Sequence, residues 1–179
     1  DQIVEKTVGR AQSFFGNGIV GHLAFAKPFC ECVQAELHKQ AKELKIKSAR
    51  GGVLVCMEGP AFSTKAESEF HRKMGWSLIG MTSCPEAKLA REAGLPYGFC
   101  AMVTDFDAWK EGEEVTAAKV NETMKTNEVS AKKLILSAVP AIAKLKRCGV
   151  CSETMYASVC APHKKVNKDQ LKKIELILK

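Results

Sequence analysis

With 179 residues, 46% hydrophobic and 26% charged, the chain has the composition of a soluble globular domain with a sizeable core. No apolar stretch approaches the roughly 20 residues of a membrane-spanning helix, and no secretory signal is visible. The net charge of +7 permits an anionic ligand, but the lysines are scattered and aromatics make up only 7%, which argues against a nucleic-acid surface built from a basic stripe and stacking platforms.

Asp1 to Thr7 reads as the end of a strand that began upstream. Gln12 to Gly18 is a loop, marked by Gly16-Asn17-Gly18. Ile19 to Ala26 alternates loosely, as a short strand carrying His22 would. Pro28 opens a helix to about Lys45, with Val33, Leu37, Ala41 and Leu44 at helical spacing. Val53 to Met57 is a buried strand broken by Glu58-Gly59-Pro60. Ser63 or Thr64 is the N-cap of the next helix, with Glu67 placed for a capping box, and that helix runs to Met74 and stops at Gly75. Trp76 to Met81 is a further strand. Pro85 starts a short helix, Ala87 to Ala93, ended by Gly94. Tyr97 to Val103 is predicted as a buried strand that delivers Asp105. Thr116 to about Lys146 is helical, with interruptions expected near Asn127 and at Pro140. Asn167 to Lys179 is an amphipathic helix with Leu171, Ile174 and Leu178 on one face.

Strands alternating with helices imply an α/β fold whose sheet is largely parallel and covered on both faces. Parallel strands bring their carboxyl ends to one edge, where ligands bind. Glu58 onward, Met81-Thr82-Ser83 and Thr104-Asp105 would meet there as a composite pocket. In Thr104-Asp105-Phe106-Asp107-Ala108-Trp109, two carboxylates one residue apart can accept amine protons and pass a proton to a ring nitrogen. The competing reading is that Asp105 or Asp107 caps the following helix.

The eight cysteines include Cys30-x-Cys32 and Cys148-x-x-Cys151; Cys56, Cys84, Cys100 and Cys160 are spread out. Cys56 and Cys100 fall in apolar runs, where a thiol is a small core group. The intervals fit no common zinc finger, and no strand leads into Cys148 as a redox pair would require. The expectation is a reducing, cytoplasmic compartment and no metal.

Three segments then carry a resemblance. Glu58-Gly59-Pro60-Ala61-Phe62-Ser63-Thr64-Lys65-Ala66-Glu67-Ser68, Gly80-Met81-Thr82-Ser83-Cys84-Pro85-Glu86 through Gly94, and Val103-Thr104-Asp105-Phe106-Asp107-Ala108-Trp109 resemble, in order, three motifs of the 5′-methylthioadenosine phosphorylases. These belong with the trimeric purine nucleoside phosphorylases. Gln12-Ser13-Phe14-Phe15, His22 and Pro28-Phe29-Cys30 also fall where that family has similar residues. The likeness runs from Asp1 to about Ala143 and is loose after Lys144. Some relatives carry a cysteine pair near Cys148 and Cys151, at a different spacing.

The resemblance implies a phosphorylase/hydrolase-like twisted mixed sheet flanked by helices. It implies phosphorolysis of 5′-methylthioadenosine, with adenosine as an alternative substrate. Inorganic phosphate would be the co-substrate, with no cofactor and no metal. Asp105 matches the general acid near purine N7, and Asp107 its neighbour that holds the 6-amino group. Relatives preferring 6-oxo purines carry Asn at the position of Asp105 and Glu at that of Ser63, so both positions follow the adenine pattern. Phe62 matches the aromatic packed on the base, with a core aromatic at a strand end as the lesser reading of the residue alone. Ile79 would line the apolar wall. Met81 matches a ribose contact, and Thr82 a phosphate-contacting hydroxyl that could otherwise cap the Pro85 helix. His22 matches a histidine reaching a neighbouring subunit's site in a homotrimer, although a lone histidine is more often structural. The apolar contacts near the methylthio group map to Ala118 through Asn121.

The resemblance places residues 1–179 in the later part of a single phosphorylase domain. No glycine-rich phosphate loop opens a helix in this sequence. The sheet is thus expected to be incomplete without an upstream segment, supplied by a second polypeptide carrying the N-terminal part. Neither nucleic acid nor membrane is expected as a partner. The alternatives are a non-catalytic purine-binding or assembly member of the same fold and, less well matched, a hydrolase.

Overall fold

Val53-Leu54-Val55-Cys56-Met57 forms the middle of the sheet because it is apolar at nearly every position, as a strand covered on both faces must be. The computed structural model describes residues 1–16, 18–112, 116–146, 148–152 and 168–177. Within them three strands, β1 (Gln2–Lys6), β2 (Val53–Met57) and β3 (Leu78–Gly80), lie in the order β1-β2-β3. Val4 pairs with Val55, and Val55 with Ile79, all in parallel. Each connection contains a helix, α1 (Glu31–Glu43) or α2 (Lys65–Lys73). Parallel pairing needs such a crossover, and the α/β class follows. Among the described strands the sheet is parallel throughout, so its expected mixed character is not seen there.

Helix α1 presents Val33 and Ala41 to the interior. It begins three residues later than predicted because Pro28 and Phe29 are themselves buried ahead of it. Leu44 is the C-cap and partly exposed, and Lys45 turns left-handed (φ 56°). Ile46 then donates back to the Ala41 carbonyl (2.8 Å) and takes the apolar position foreseen for Leu44. The predicted capping box at α2 is present: the Thr64 hydroxyl accepts from the Glu67 amide (3.2 Å), and Glu67 accepts from the Thr64 amide (2.8 Å). Helix α3 (Glu86–Glu92) follows Pro85 and ends before Gly94.

Helix α4 (Ala117–Ile142) runs without the predicted interruptions. Asn127 turns its side-chain amide to the Val103 carbonyl (2.9 Å) instead of breaking the helix. Pro140 sits in the last turn, where its missing N–H deprives only the Leu136 carbonyl, and Leu136 is largely exposed. Leu134 and Ala138 pack on Ala41 of α1. Among the described residues two short helices follow, α5 (Gly149–Ser152) and α6 (Lys168–Ile174). Ile174 is buried as expected; Leu178 and Cys160, and the side chain of Leu171, lie outside the described residues.

Two predicted strands do not form. Residues 19–26 are irregular. Gly21 lies so close against the Phe15 ring that an added Cβ would sit 2.7 Å from it, so this stretch folds onto its own loop. Residues 97–103 are irregular too, although their apolar run is real. Tyr97 and Phe99 place their rings 6.1 Å from that of Phe29, and the Tyr97 carbonyl accepts from the Cys30 amide (2.7 Å). Tyr97 and Phe99 pack on Phe29 and the run does not pair with β3, while Cys100, Met102 and Val103 are exposed, so Cys100 is not the core thiol expected. A short apolar run does not reveal which of these it will do.

Candidate functional site at the carboxyl edge of the sheet

The carboxyl ends of β1, β2 and β3 are tied together by one side chain. Arg10 follows the turn at Gly9 (φ 75°). Its guanidinium donates to the Glu58 carboxylate (3.1 and 3.2 Å), to the Glu58 carbonyl (3.1 Å), and to the carbonyls of Met81 and Cys84 (both 2.7 Å). The planar, five-donor fork suits this multiple capture in a way a lysine would not. The Val8 amide also donates to Glu58 (2.8 Å). That bond first, and Arg10 with it, holds the Glu58 carboxyl below its ordinary range. Gly59 (φ 74°) leaves room for the Met81 side chain: a Cβ there would come within 2.7 Å of the Met81 sulfur. Ser63 donates to the Met57 sulfur (3.8 Å). Glu58 and Met81 are thus tied together at one edge with Ser63 against Met57 of β2, while the strand expected to bring Thr104-Asp105 to that edge does not form.

Asp105 and Asp107 form a turn and cap no helix. The Asp105 carboxylate accepts from the Thr104 hydroxyl (2.6 Å) and from the Asp107 amide (2.9 Å), and Asp107 takes a left-handed conformation (φ 61°). Such local bonding is what short polar side chains offer. The helix-cap reading fails because α4 begins only at Ala117 and is capped by Thr116. The turn is fastened to α2: the Arg72 guanidinium lies 4.4 Å over the Trp109 ring, and Lys65 pairs with Glu111 (3.5 Å). Trp109 meets Phe106 edge-on (centroids 6.1 Å apart).

Between the turn and the strands lies His71 of α2, 6% exposed. Lys6, at the end of β1, approaches its Nε2 (3.4 Å). Burial first, then Lys6, pushes the imidazole below its ordinary value, while the charges of Asp107 and Glu67 pull the other way. Asp107 therefore faces the same electrostatic group as the end of β1.

The other expected residues are placed less uniformly. Phe62 is 56% exposed, beside Ser63 and ahead of α2. Ile79 is half-buried within β3, and Thr82 is exposed just beyond it. His22 is exposed on the irregular segment, not on a strand. A cleft of about 350 Å³ lies at the opposite, amino end of the strands, lined by Asp1, Phe29 and Arg50 among others, and none of the candidate residues lines it. The candidate residues lie instead toward the carboxyl edge, and Phe62 and Phe106 are both exposed. Arg10 and His71 were not singled out from sequence. The signal for Arg10 was present as a glycine-arginine pair directly after a strand.

A parallel sheet with crossover helices, and a carboxylate turn held beside it by α2, defines the chain as an α/β domain. Residues 1–140 match the phosphorylase superfamily, to which the chain belongs. It is 45% identical over 161 residues to the S-methyl-5′-thioadenosine phosphorylase of Geobacter sulfurreducens, a match covering 89% of this chain and 56% of that protein. A methylthioadenosine phosphorylase from an antarctic soil metagenomic library superposes with a TM-score of 0.91 at 34% identity, over 100% of this chain and 64% of that one. The methylthioadenosine phosphorylase from Schistosoma mansoni in complex with adenine superposes with a TM-score of 0.77 at 34% identity, over 85% and 61% of the two chains. The chain thus spans between half and two thirds of the length of these relatives.

Proposed function

We propose that the protein containing this chain cleaves 5′-methylthioadenosine with inorganic phosphate, giving adenine and 5-methylthioribose 1-phosphate, with adenosine as the alternative nucleoside. The observation that carries this reading is the Asp105–Asp107 turn, fastened to the helix that follows Phe62 and Ser63. A carboxyl group at Asp105 can protonate purine N7 as the glycosidic bond lengthens, which neutralises the leaving base. A carboxylate at Asp107 accepts from a 6-amino group and repels a 6-oxo one. Phe62 supplies a flat apolar surface for the ring, and Ile79 an apolar wall.

The ribose side falls to Met81, whose carbonyl is immobilised by Arg10. Thr82 offers a hydroxyl to phosphate. The remaining phosphate ligands are assigned to residues outside 1–179, in an N-terminal part that a second polypeptide could carry. His22, exposed here, suits a role toward a neighbouring subunit of a homotrimer. The chemistry needs inorganic phosphate and no cofactor, and a cytoplasmic setting accords with the thiol-rich composition. Adenines released from methylthioadenosine are measured by absorbance or chromatography with and without inorganic phosphate, using the intact protein. Release that requires phosphate is the expected result. Release without phosphate means a hydrolase, and binding without turnover means a non-catalytic member of the fold.

A further inference from the structure

Two cysteine pairs far apart in the sequence meet in the fold. Cys30 is the N-cap of α1 and Cys32 lies in its first turn; Cys148 directly precedes α5 and Cys151 lies within it. The sulfur atoms of Cys30, Cys32 and Cys148 all lie within 4.8 Å of one another. Cys151 is buried in the same cluster as Cys30. None of the seven described cysteines forms a disulfide.

The surroundings suit a bound soft cation. Cys30 and Cys151 are 2% and 3% exposed and pack with Val33, beside Leu37 and Ile142, so one side of the cluster is apolar. Cys32 is exposed, which leaves an approach from solvent. The Cys151 amide donates to the Cys148 carbonyl (3.1 Å), which closes the turn that holds the two cysteines of this pair together. If burial alone were the purpose, an exposed Cys32 would have no place in the cluster. A tetrahedral zinc site has Zn–S bonds of about 2.3 Å, and hence sulfurs about 3.8 Å apart. Small side-chain rotations bring the sulfurs of Cys30, Cys32 and Cys148, within 4.8 Å of one another, to that spacing, and Cys151 is a further thiol in the same buried cluster as Cys30.

We propose that Cys30, Cys32, Cys148 and Cys151 bind one zinc-class divalent cation in a structural tetrathiolate site. Each thiol releases its proton to solvent as its bond to the metal forms, so binding weakens as pH falls. The cation ties the segment after α4 to the start of α1. It also braces the Cys30 amide that holds the Tyr97 carbonyl (2.7 Å), and with it the run leading to Asp105.

The test uses the intact protein, purified without a metal-affinity tag and dialysed against metal-free buffer containing a reductant. Elemental analysis is expected to find about one zinc per chain. Cobalt(II) exchanged into the site should show thiolate-to-metal charge transfer and tetrahedral visible bands. Cys32→Ser, at the exposed position and so least disturbing to folding, should lose both signals, while Cys100→Ser keeps them. A strong chelator should lower the melting temperature of the parent protein and leave that of Cys32→Ser unchanged. Zinc far below stoichiometry, disulfides among these cysteines, bound iron with sulfide, or full zinc in Cys32→Ser would each overturn the assignment. None of these readouts depends on phosphorolysis, so the two proposals can fail separately.

Discussion

Asp105 already accepts two hydrogen bonds from its own turn, so its carboxylate is oriented before a ligand arrives. Preorganisation of this kind is what a proton donor needs. Asp105→Asn keeps an acceptor for the Asp107 amide but cannot deliver a proton. Steady-state kinetics should show methylthioadenosine turnover reduced by about 10²–10⁴-fold, with some inosine activity gained; unchanged kinetics with both nucleosides would remove Asp105 from the mechanism. At this scale legibility depended on locality. The Thr64–Glu67 box was readable because its partners are three residues apart. Arg10 was not, because its partners Glu58, Met81 and Cys84 come from other strand ends.

At the scale of elements, the Asp105–Asp107 turn has no place in the sheet and takes its position from α2. Arg72 over Trp109 is the main fastening, since the Lys65–Glu111 pair is solvent-exposed and such pairs contribute little. A partly exposed cation–π contact contributes about 0.5–1 kcal/mol. Arg72→Leu should therefore raise KM for the nucleoside by about two- to five-fold, with kcat changed less. An equal loss in both parameters would point to damage beyond the turn. The failed strand at residues 97–103 belongs here too. A strand requires a hydrogen-bonding neighbour; here Tyr97 and Phe99 are half-buried against Phe29 and the rest of the run, Cys100 to Val103, is exposed.

At the scale of the whole molecule, β1 is joined to α3 by a polar cluster. Lys88 pairs with Glu5 and donates to Gln12 (2.8 Å), while Gln12 and Thr7 donate to Glu5 (2.8 and 2.5 Å). Partial burial pushes the Glu5 carboxyl up, but the bonds from Lys88, Thr7 and Gln12 outweigh it and hold it below its ordinary value of 4.5. A depressed carboxylate contributes stability that is present above that ordinary value and is lost as pH falls through the folded one. Lys88→Met should cost roughly 1.5–3 kcal/mol near pH 7. In urea denaturation that gap should narrow as the pH is lowered below 4.5. A gap independent of pH would show that Lys88 acts through packing alone.

The sequence by itself determined the apolar core of β2, the capping box of α2, and the family likeness of the three motifs. All of these rest on neighbours within a few residues or on patterns preserved in order. Only the tertiary structure decided that the run before Asp105 packs on Phe29, that Arg10 clamps three strand ends, and that the cysteine pairs at positions 30 and 148 meet. Those outcomes depend on which surfaces remain to be covered once the strands have paired, and periodicity along one chain does not encode that.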